Sequence, residues 1–152
     1  MAHKIETRTL AEQHTAVIRG VVPRDGVGPW IEQAYGELFA YLGQLGVAPS
    51  GPPFARYTFR DDGFGVEAGV PVGRLVPGKG RIEPSTLPGG PVASTLHEGP
   101  YDSLGPAYDE LTSWIRAQQH TPTGPHWERY LNSPAEEPDP SRWKTEVLIP
   151  FR

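Results

Sequence analysis

The stretch DGVGPWIEQAYGEL, residues 25–38, recurs later in the chain as EGPYDSLGPAYDEL, residues 98–111. Five further identities continue in the same register without a gap: Pro49, Gly51, Pro52, Arg56 and Tyr57 return as Pro122, Gly124, Pro125, Arg129 and Tyr130. The offset is 73 residues throughout, as in 99 − 26. Two copies are fewer than the roughly three that a solenoid needs. The repeat therefore predicts a single domain, residues 1–152, with a pseudo-twofold duplication over approximately 14–72 and 90–151.

The first copy has the pattern of a βαββ unit. Residues 15–22 are apolar and β-branched, which predicts a strand. Apolar residues then recur at the three- and four-residue spacings of an amphipathic helix, at Ile31, Ala34, Tyr35, Leu38, Leu42 and Leu45. Residues 54–59 and 64–72 read as a hairpin, joined by the turn at residues 61–63.

The second copy repeats this order. Strands are predicted near residues 91–97, 127–131 and 143–151, and the helix carries an apolar stripe from Leu104 to Ile115. Residues 132–141 predict an extended loop, residues 4–10 an extra edge strand, and residues 80–86 a linker that pairs with the sheet. The predicted class is α+β, with a curved, mainly antiparallel sheet and two helices on one face.

Composition and charge exclude several classes of function. The net charge of −4 offers no broad basic face for nucleic-acid phosphates. No apolar run has membrane-spanning length, and the charged start of the chain lacks the apolar region of a secretory signal. The chain has no cysteine, and its histidines show no metal-ligand spacing. We predict a cytoplasmic protein, monomeric or weakly dimeric, without cofactor, metal, membrane contact or direct DNA binding.

Four motifs in the second copy resemble a known family. They are GGPVA (89–93), HEGPY (97–101), GPHWERY (124–130) and WKTEVLIP (143–150). In this order they are similar to the GyrI-like domain, which is also the effector-binding half of AraC- and MerR-type regulators. The resemblance implies a pocket between the two repeats that accepts bulky, flat, often cationic compounds of multidrug type. It also implies that a glutamate on the last strand faces the ligand, and Glu146 matches it.

Each candidate ligand-binding residue has a second interpretation. Glu146 interrupts an apolar strand, so alternation alone also allows a solvated face. Its repeat partner Glu67 is either a second pocket carboxylate or a surface glutamate. The candidate aromatic walls either stack on a planar cation or fill the core, and they are Trp127, Tyr130, Trp143, Tyr101, Phe54 and Tyr57. Alternation puts Trp127 and Tyr130 on opposite faces of a regular strand.

Three functions remain open from the sequence. The first is a small-molecule receptor in which Glu146 attracts cations. The second, implied by the resemblance, is a hydrolase of cyclopropane-bearing DNA-alkylating natural products, with Glu146 and Tyr130 as the catalytic pair. The third is a gyrase-inhibitor-like interaction module that docks through the acidic loop 132–141. The recurrence of Arg56 and Arg129 also suggests equivalent ion pairs, to Glu37 and Glu110.

Overall fold

The computed structural model describes residues 3–61, 63–132 and 136–152. The described chain divides into two compact units. Unit 1 consists of Met1–Ala11 and Gly89–Arg152, and unit 2 consists of Glu12–Pro88. The junction after residue 88 lies between the predicted repeats, so each unit contains one copy.

The secondary structure follows the order that the repeat predicts. In chain order the elements are β1 (Ile5–Leu10), β2 (Gln13–Val22), α1 (Val27–Leu45), β3 (Phe54–Arg60), β4 (Gly63–Pro71), β5 (Glu83–Leu87), β6 (Gly90–Glu98), α2 (Gly105–Ala117), β7 (Trp127–Tyr130) and β8 (Lys144–Pro150). Short 3-10 turns occur at Arg24–Gly26, Tyr101–Ser103 and Pro140–Arg142.

Unit 2 is an antiparallel sheet covered on one face by α1. β4 pairs with β3 and with β2, and β5 pairs with the other side of β2. Alternate residues of β2 and β4, such as Ile18 and Val70, are buried against Leu38 and Leu42 of α1. The hydrophobic effect of this burial holds the helix on the sheet.

Unit 1 repeats this arrangement with β1 in place of β5. β8 pairs with β7 and with β6, and β1 pairs with the other side of β6. Val147 and Ile149 of β8 are buried together with Leu111 and Ile115 of α2. The intervening residues of β8 therefore lie on the sheet face opposite α2.

The predicted α+β class with antiparallel strands is confirmed, as are the edge strand β1 and the pairing of the linker through β5. β8 begins at Lys144, one residue later than predicted. The predicted turn at 61–63 includes residue 62, and the predicted loop 132–141 includes residues 133–135, all outside the described residues. The end of that loop is not extended, because Pro140–Arg142 forms a 3-10 turn that the side chain of Asp139 caps.

The helices are amphipathic, and among the described residues none is both long and apolar enough to cross a membrane. Both helices end in the same way. After α1, Gly46 has φ 69° and Val47 N–H donates to Leu42 O at 3.0 Å. After α2, Gln119 has φ 62° and His120 N–H donates to Ile115 O at 3.0 Å.

Gln119 stands 73 residues after Gly46, so it takes a left-handed conformation that a glycine takes in the first copy. Side chains with a Cβ pay a steric cost in this conformation, and glycine does not. We expect Gln119→Gly to stabilise the protein by about 0.5 to 1 kcal/mol and Gly46→Gln to destabilise it by about the same amount. Urea unfolding of both variants measures this, and a loss of stability in Gln119→Gly contradicts it.

Candidate functional site

Glu146 lies on β8 between two core residues, on the face of the unit 1 sheet that α2 does not cover. Its neighbours Thr145 and Val147 are fully buried, whereas 18% of the Glu146 side chain is exposed. On the adjacent strand β6, its register partner is Leu96, which is 49% exposed. A partly buried carboxylate thus lies beside an exposed apolar side chain.

Both oxygens of Glu146 accept hydrogen bonds from arginines. Arg8 Nη2, from β1, donates to Oε2 at 2.5 Å, and Arg129 Nη1, from the register partner on β7, donates to Oε1 at 2.9 Å. The guanidinium charges offset the cost of holding this carboxylate partly out of water.

The corresponding glutamate of unit 2 has similar partners. Glu67 Oε1 accepts from Arg19 Nε at 2.9 Å, and Arg56 Nη1 lies 3.5 Å from Oε2. Glu67 is only 12% exposed, so it is more buried than a solvated surface residue. It forms part of an ion-pair cluster that also includes Glu83.

The predicted ion pairs of Arg56 with Glu37 and of Arg129 with Glu110 are wrong. Each arginine instead pairs across the sheet with the glutamate opposite it in register. Glu37 pairs with Arg81, and Glu110 accepts hydrogen bonds from His3. The helix glutamates are thus satisfied by residues outside the part of the chain that repeats.

Tyr130 lies on the opposite face of the sheet from Glu146. Its hydroxyl donates to Glu128 Oε1 at 2.8 Å, and its register partner is Thr145. The structure therefore does not bring Glu146 and Tyr130 together as an acid and base. Trp127 shares the face of Glu146, but only 1% of it is exposed.

Glu128 is a buried carboxylate that the sequence analysis did not single out. Only 7% of it is exposed, and the hydroxyls of Tyr130 and Tyr108 donate to it. Burial raises the pKa of Glu128, and the hydroxyl hydrogen bonds act in the opposite direction. The sequence held one signal, because the residue 73 positions earlier is the apolar Ala55. In the structure Ala55 is fully buried.

The remaining predicted aromatics of unit 1 lie around Glu128. Tyr101 stacks on Trp143 with ring centroids 4.8 Å apart. Tyr101 and Tyr130 meet edge to face, with ring centroids 5.7 Å apart. Burial, and then the charge of Glu128, raise the pKa of Tyr101. His126 packs against Tyr108 at 4.6 Å, and burial lowers the pKa of His126 to about 4, so the ring is neutral at neutral pH.

The other predicted aromatics belong to unit 2. Phe54 is 1% exposed, and its backbone carbonyl accepts a hydrogen bond from the hydroxyl of Tyr35 at 2.5 Å. Tyr57 meets Phe64 edge to face, with the ring centroids 6.1 Å apart. Phe54 thus has the surroundings of a core residue, and Tyr57 is partly buried.

Two further observations bear on other possible sites. Among the residues that the structure describes, no group of three or more His, Asp or Glu side chains could hold a metal ion. An open groove of about 330 Å³ lies in unit 1, and its lining includes Arg8 but none of the predicted ligand-binding residues. The rest of its lining consists of Thr7, Thr9, Pro91, Trp114, Gln118, His120 and Phe151.

The chain belongs to the GyrI-like small molecule binding domain family, whose sequence profile matches residues 3–152. The resemblance inferred from the four motifs is thereby confirmed. No curated protein sequence matches the chain significantly.

Several solved structures have the same fold. The EcmrR C-terminal domain is 23% identical with a TM-score of 0.82, and the match covers 100% of this chain and 99% of that one. A hydrolase from Listeria innocua is 18% identical with a TM-score of 0.75, covering 99% and 93%. SAV2435 bound to tetraphenylphosphonium is 15% identical with a TM-score of 0.66, covering 98% and 94%. The chain spans only 58% of EcmrR in its DNA complex.

The raised pKa of Glu128 predicts how stability depends on pH. Above the ordinary value of 4.5, the folded protein keeps a proton that the unfolded chain has lost. The contribution of Glu128 to the free energy of unfolding is therefore greatest at low pH and decreases as the pH rises from about 4.5 through the folded pKa. We expect Glu128→Gln to gain stability relative to wild type as the pH rises above about 4.5 in denaturant titrations.

Glu110→Gln is the matched control for this experiment. The hydrogen bonds from His3 lower the pKa of Glu110, so its effect has the opposite sign. Wild type should gain stability relative to Glu110→Gln as the pH rises through the acidic range. A difference between wild type and Glu128→Gln that does not change with pH contradicts the assignment of Glu128 as a carboxylate with a raised pKa.

Proposed function

We propose that this chain is a receptor for bulky aromatic small molecules and that Glu146 lies at its binding site. The observation that carries the proposal is the combination of a partly exposed Glu146 with the exposed side chain of Leu96 on the face of the unit 1 sheet opposite α2. Ligand sites commonly combine apolar surface with a small number of oriented polar groups. Membership of a small-molecule-binding family supports the same function.

The proposal includes a role for some of the predicted aromatic residues and not for others. Trp127 and Phe54 are almost fully buried, so we propose that they support their sheets and do not touch the ligand. Tyr57 and Glu67 remain predicted ligand contacts that belong to unit 2. Cytoplasmic location, the absence of direct DNA binding and a monomeric or weakly dimeric state also remain predictions.

The sequence-based hypothesis also specifies that the ligands are often cations. The similar protein SAV2435 has been solved with tetraphenylphosphonium, which supports a cationic ligand for the fold. In this chain, however, a cation at Glu146 has to compete with Arg8 and Arg129 for the same oxygens. The receptor proposal itself does not depend on the charge of the ligand.

Leu96→Ala tests the receptor proposal without changing any charge. The substitution removes exposed apolar surface beside Glu146, so we expect it to weaken binding of aromatic probes by about 1 kcal/mol, roughly fivefold in Kd. Fluorescence anisotropy with xanthene dyes of both charges measures Kd, and we expect micromolar binding of at least one dye to wild type.

Leu75→Ala is the matched control, because Leu75 is a more exposed leucine, at 65%, and belongs to unit 2. It should leave Kd unchanged. Wild-type protein that binds no dye of either charge would refute the receptor proposal, and equal effects of the two variants would move the site away from Leu96.

The geometry also favours a revised form of the hydrolase hypothesis. Glu128 and Tyr130 are in hydrogen-bonding contact at 2.8 Å, and the stacked pair of Tyr101 and Trp143 adjoins them. A carboxyl group with a raised pKa beside a phenol is a combination suited to acid and base catalysis. As the second candidate function, we propose hydrolysis of a cyclopropane-bearing electrophile at Glu128 and Tyr130 instead of Glu146 and Tyr130.

A turnover assay with such an electrophile tests the second candidate. We expect Tyr130→Phe and Glu128→Gln each to lower kcat by about 100-fold or more, the usual scale of acid and base catalysis, and Glu146→Gln to have a much smaller effect. The released product is measured against the amount of protein. Product that never exceeds one equivalent of protein excludes the hydrolase.

A further inference from the structure

We infer that the Glu146 site selects aromatic ligands that carry an anionic oxygen group, a carboxylate or a sulfonate, over lipophilic cations. This inference rests on the proposed receptor function and assigns the chemical class of its ligand. The partners of Glu146 are positively charged, so they reverse the negative charge that the glutamate alone would give to the site.

The cluster around Glu146 has a net positive charge. Among the described residues, a single carboxylate contacts the guanidinium groups of Arg8 and Arg129, so this cluster carries a net charge of +1 by adding +1, +1 and −1. Two neighbouring pairs combine opposite charges. Lys4 lies 3.5 Å from Glu6, and Lys144 is the register partner of Glu98.

Arg8 and Arg129 have hydrogen-bond donors that Glu146 does not use. Each guanidinium has five N–H groups, and the contacts with Glu146 use Nη2 of Arg8 and Nη1 of Arg129. Arg8 Nε is buried and has no hydrogen-bond partner among the described residues. An unpaired buried donor is costly. Because Nε is not exposed, an anionic ligand would instead accept from the Nη donors that Glu146 does not use.

Both arginines are accessible to a ligand. The side chains of Arg8 and Arg129 are 38% and 28% exposed, so a ligand can reach both without unfolding the sheet. Leu96, beside Glu146 in register, offers apolar surface to the body of the ligand. The arrangement therefore suits a molecule with an apolar ring system at one end and an anionic group at the other. A lipophilic cation would instead meet the net positive charge.

The test compares two probes that share the xanthene ring system, the anion fluorescein and the cation rhodamine 6G. Anisotropy titrations are made at about pH 8, where fluorescein is ionised, with wild type, Arg8→Gln, Glu146→Gln and Arg81→Gln. Arg81→Gln is the matched control, because Arg81 is an exposed arginine that pairs with Glu37 in unit 2. It removes the same charge without touching the site.

We expect wild type to bind fluorescein roughly tenfold more tightly than rhodamine 6G. Arg8→Gln should weaken fluorescein binding by roughly five- to tenfold, whereas Arg81→Gln leaves it unchanged. Glu146→Gln should strengthen fluorescein binding, because it removes the acceptor that competes for the arginines. Circular dichroism of each variant verifies that it is folded.

Two results overturn the inference and leave the receptor in place. They are tighter binding of rhodamine 6G that weakens in Glu146→Gln, and fluorescein binding that is indifferent to Arg8→Gln. If wild type binds neither dye, the receptor proposal fails and the inference fails with it. The outcomes thus separate an error about the ligand's charge from an error about the function.

Discussion

The strict alternation of side chains along β7 and β8 is the constraint on which the rest of unit 1 depends. Because α2 covers one face of the sheet, each change of one residue along these strands moves a side chain between two different environments. Glu128 and Arg129 are neighbours in the chain, yet one is buried with tyrosines and the other reaches Glu146. Both candidate sites are consequences of this alternation.

Duplication allows the two halves of the protein to be compared position by position. The ion pair between strand residues is kept in both copies, as Arg56 with Glu67 and Arg129 with Glu146. On the helix side the copies have diverged. Tyr35 donates to a backbone carbonyl, whereas its counterpart Tyr108 donates to the carboxylate of Glu128. The tyrosine hydroxyl thus bonds the backbone in one copy and an ionisable side chain in the other.

The sequence predicted the fold well because the repeat supplied each element twice. It predicted the site less completely, for two physical reasons. Arg8 reaches Glu146 across 138 positions of the chain, and that contact depends on the pairing of β1 with β6, which has no local signal. Glu128 precedes Arg129 and looks like part of a charged surface pair, so only its alignment with Ala55 distinguishes it as buried. Alternation predicted that Trp127 and Tyr130 lie on opposite faces of the sheet, but it did not predict which of the two faces α2 covers.

The pairing of β1 with β6 also bears on the order in which the protein can fold during synthesis. Unit 2 is one continuous segment, and its own four strands, β2 to β5, have all been made once β5 is complete. Unit 1 is interrupted by unit 2 in the sequence, so β1 has no partner in its own sheet until β6 emerges from the ribosome. Contacts between such distant segments form slowly because a long loop must close first. The contact between Arg8 and Glu146 can therefore form only after β8 has been made. The Glu146 site is thus among the last parts of the protein to form.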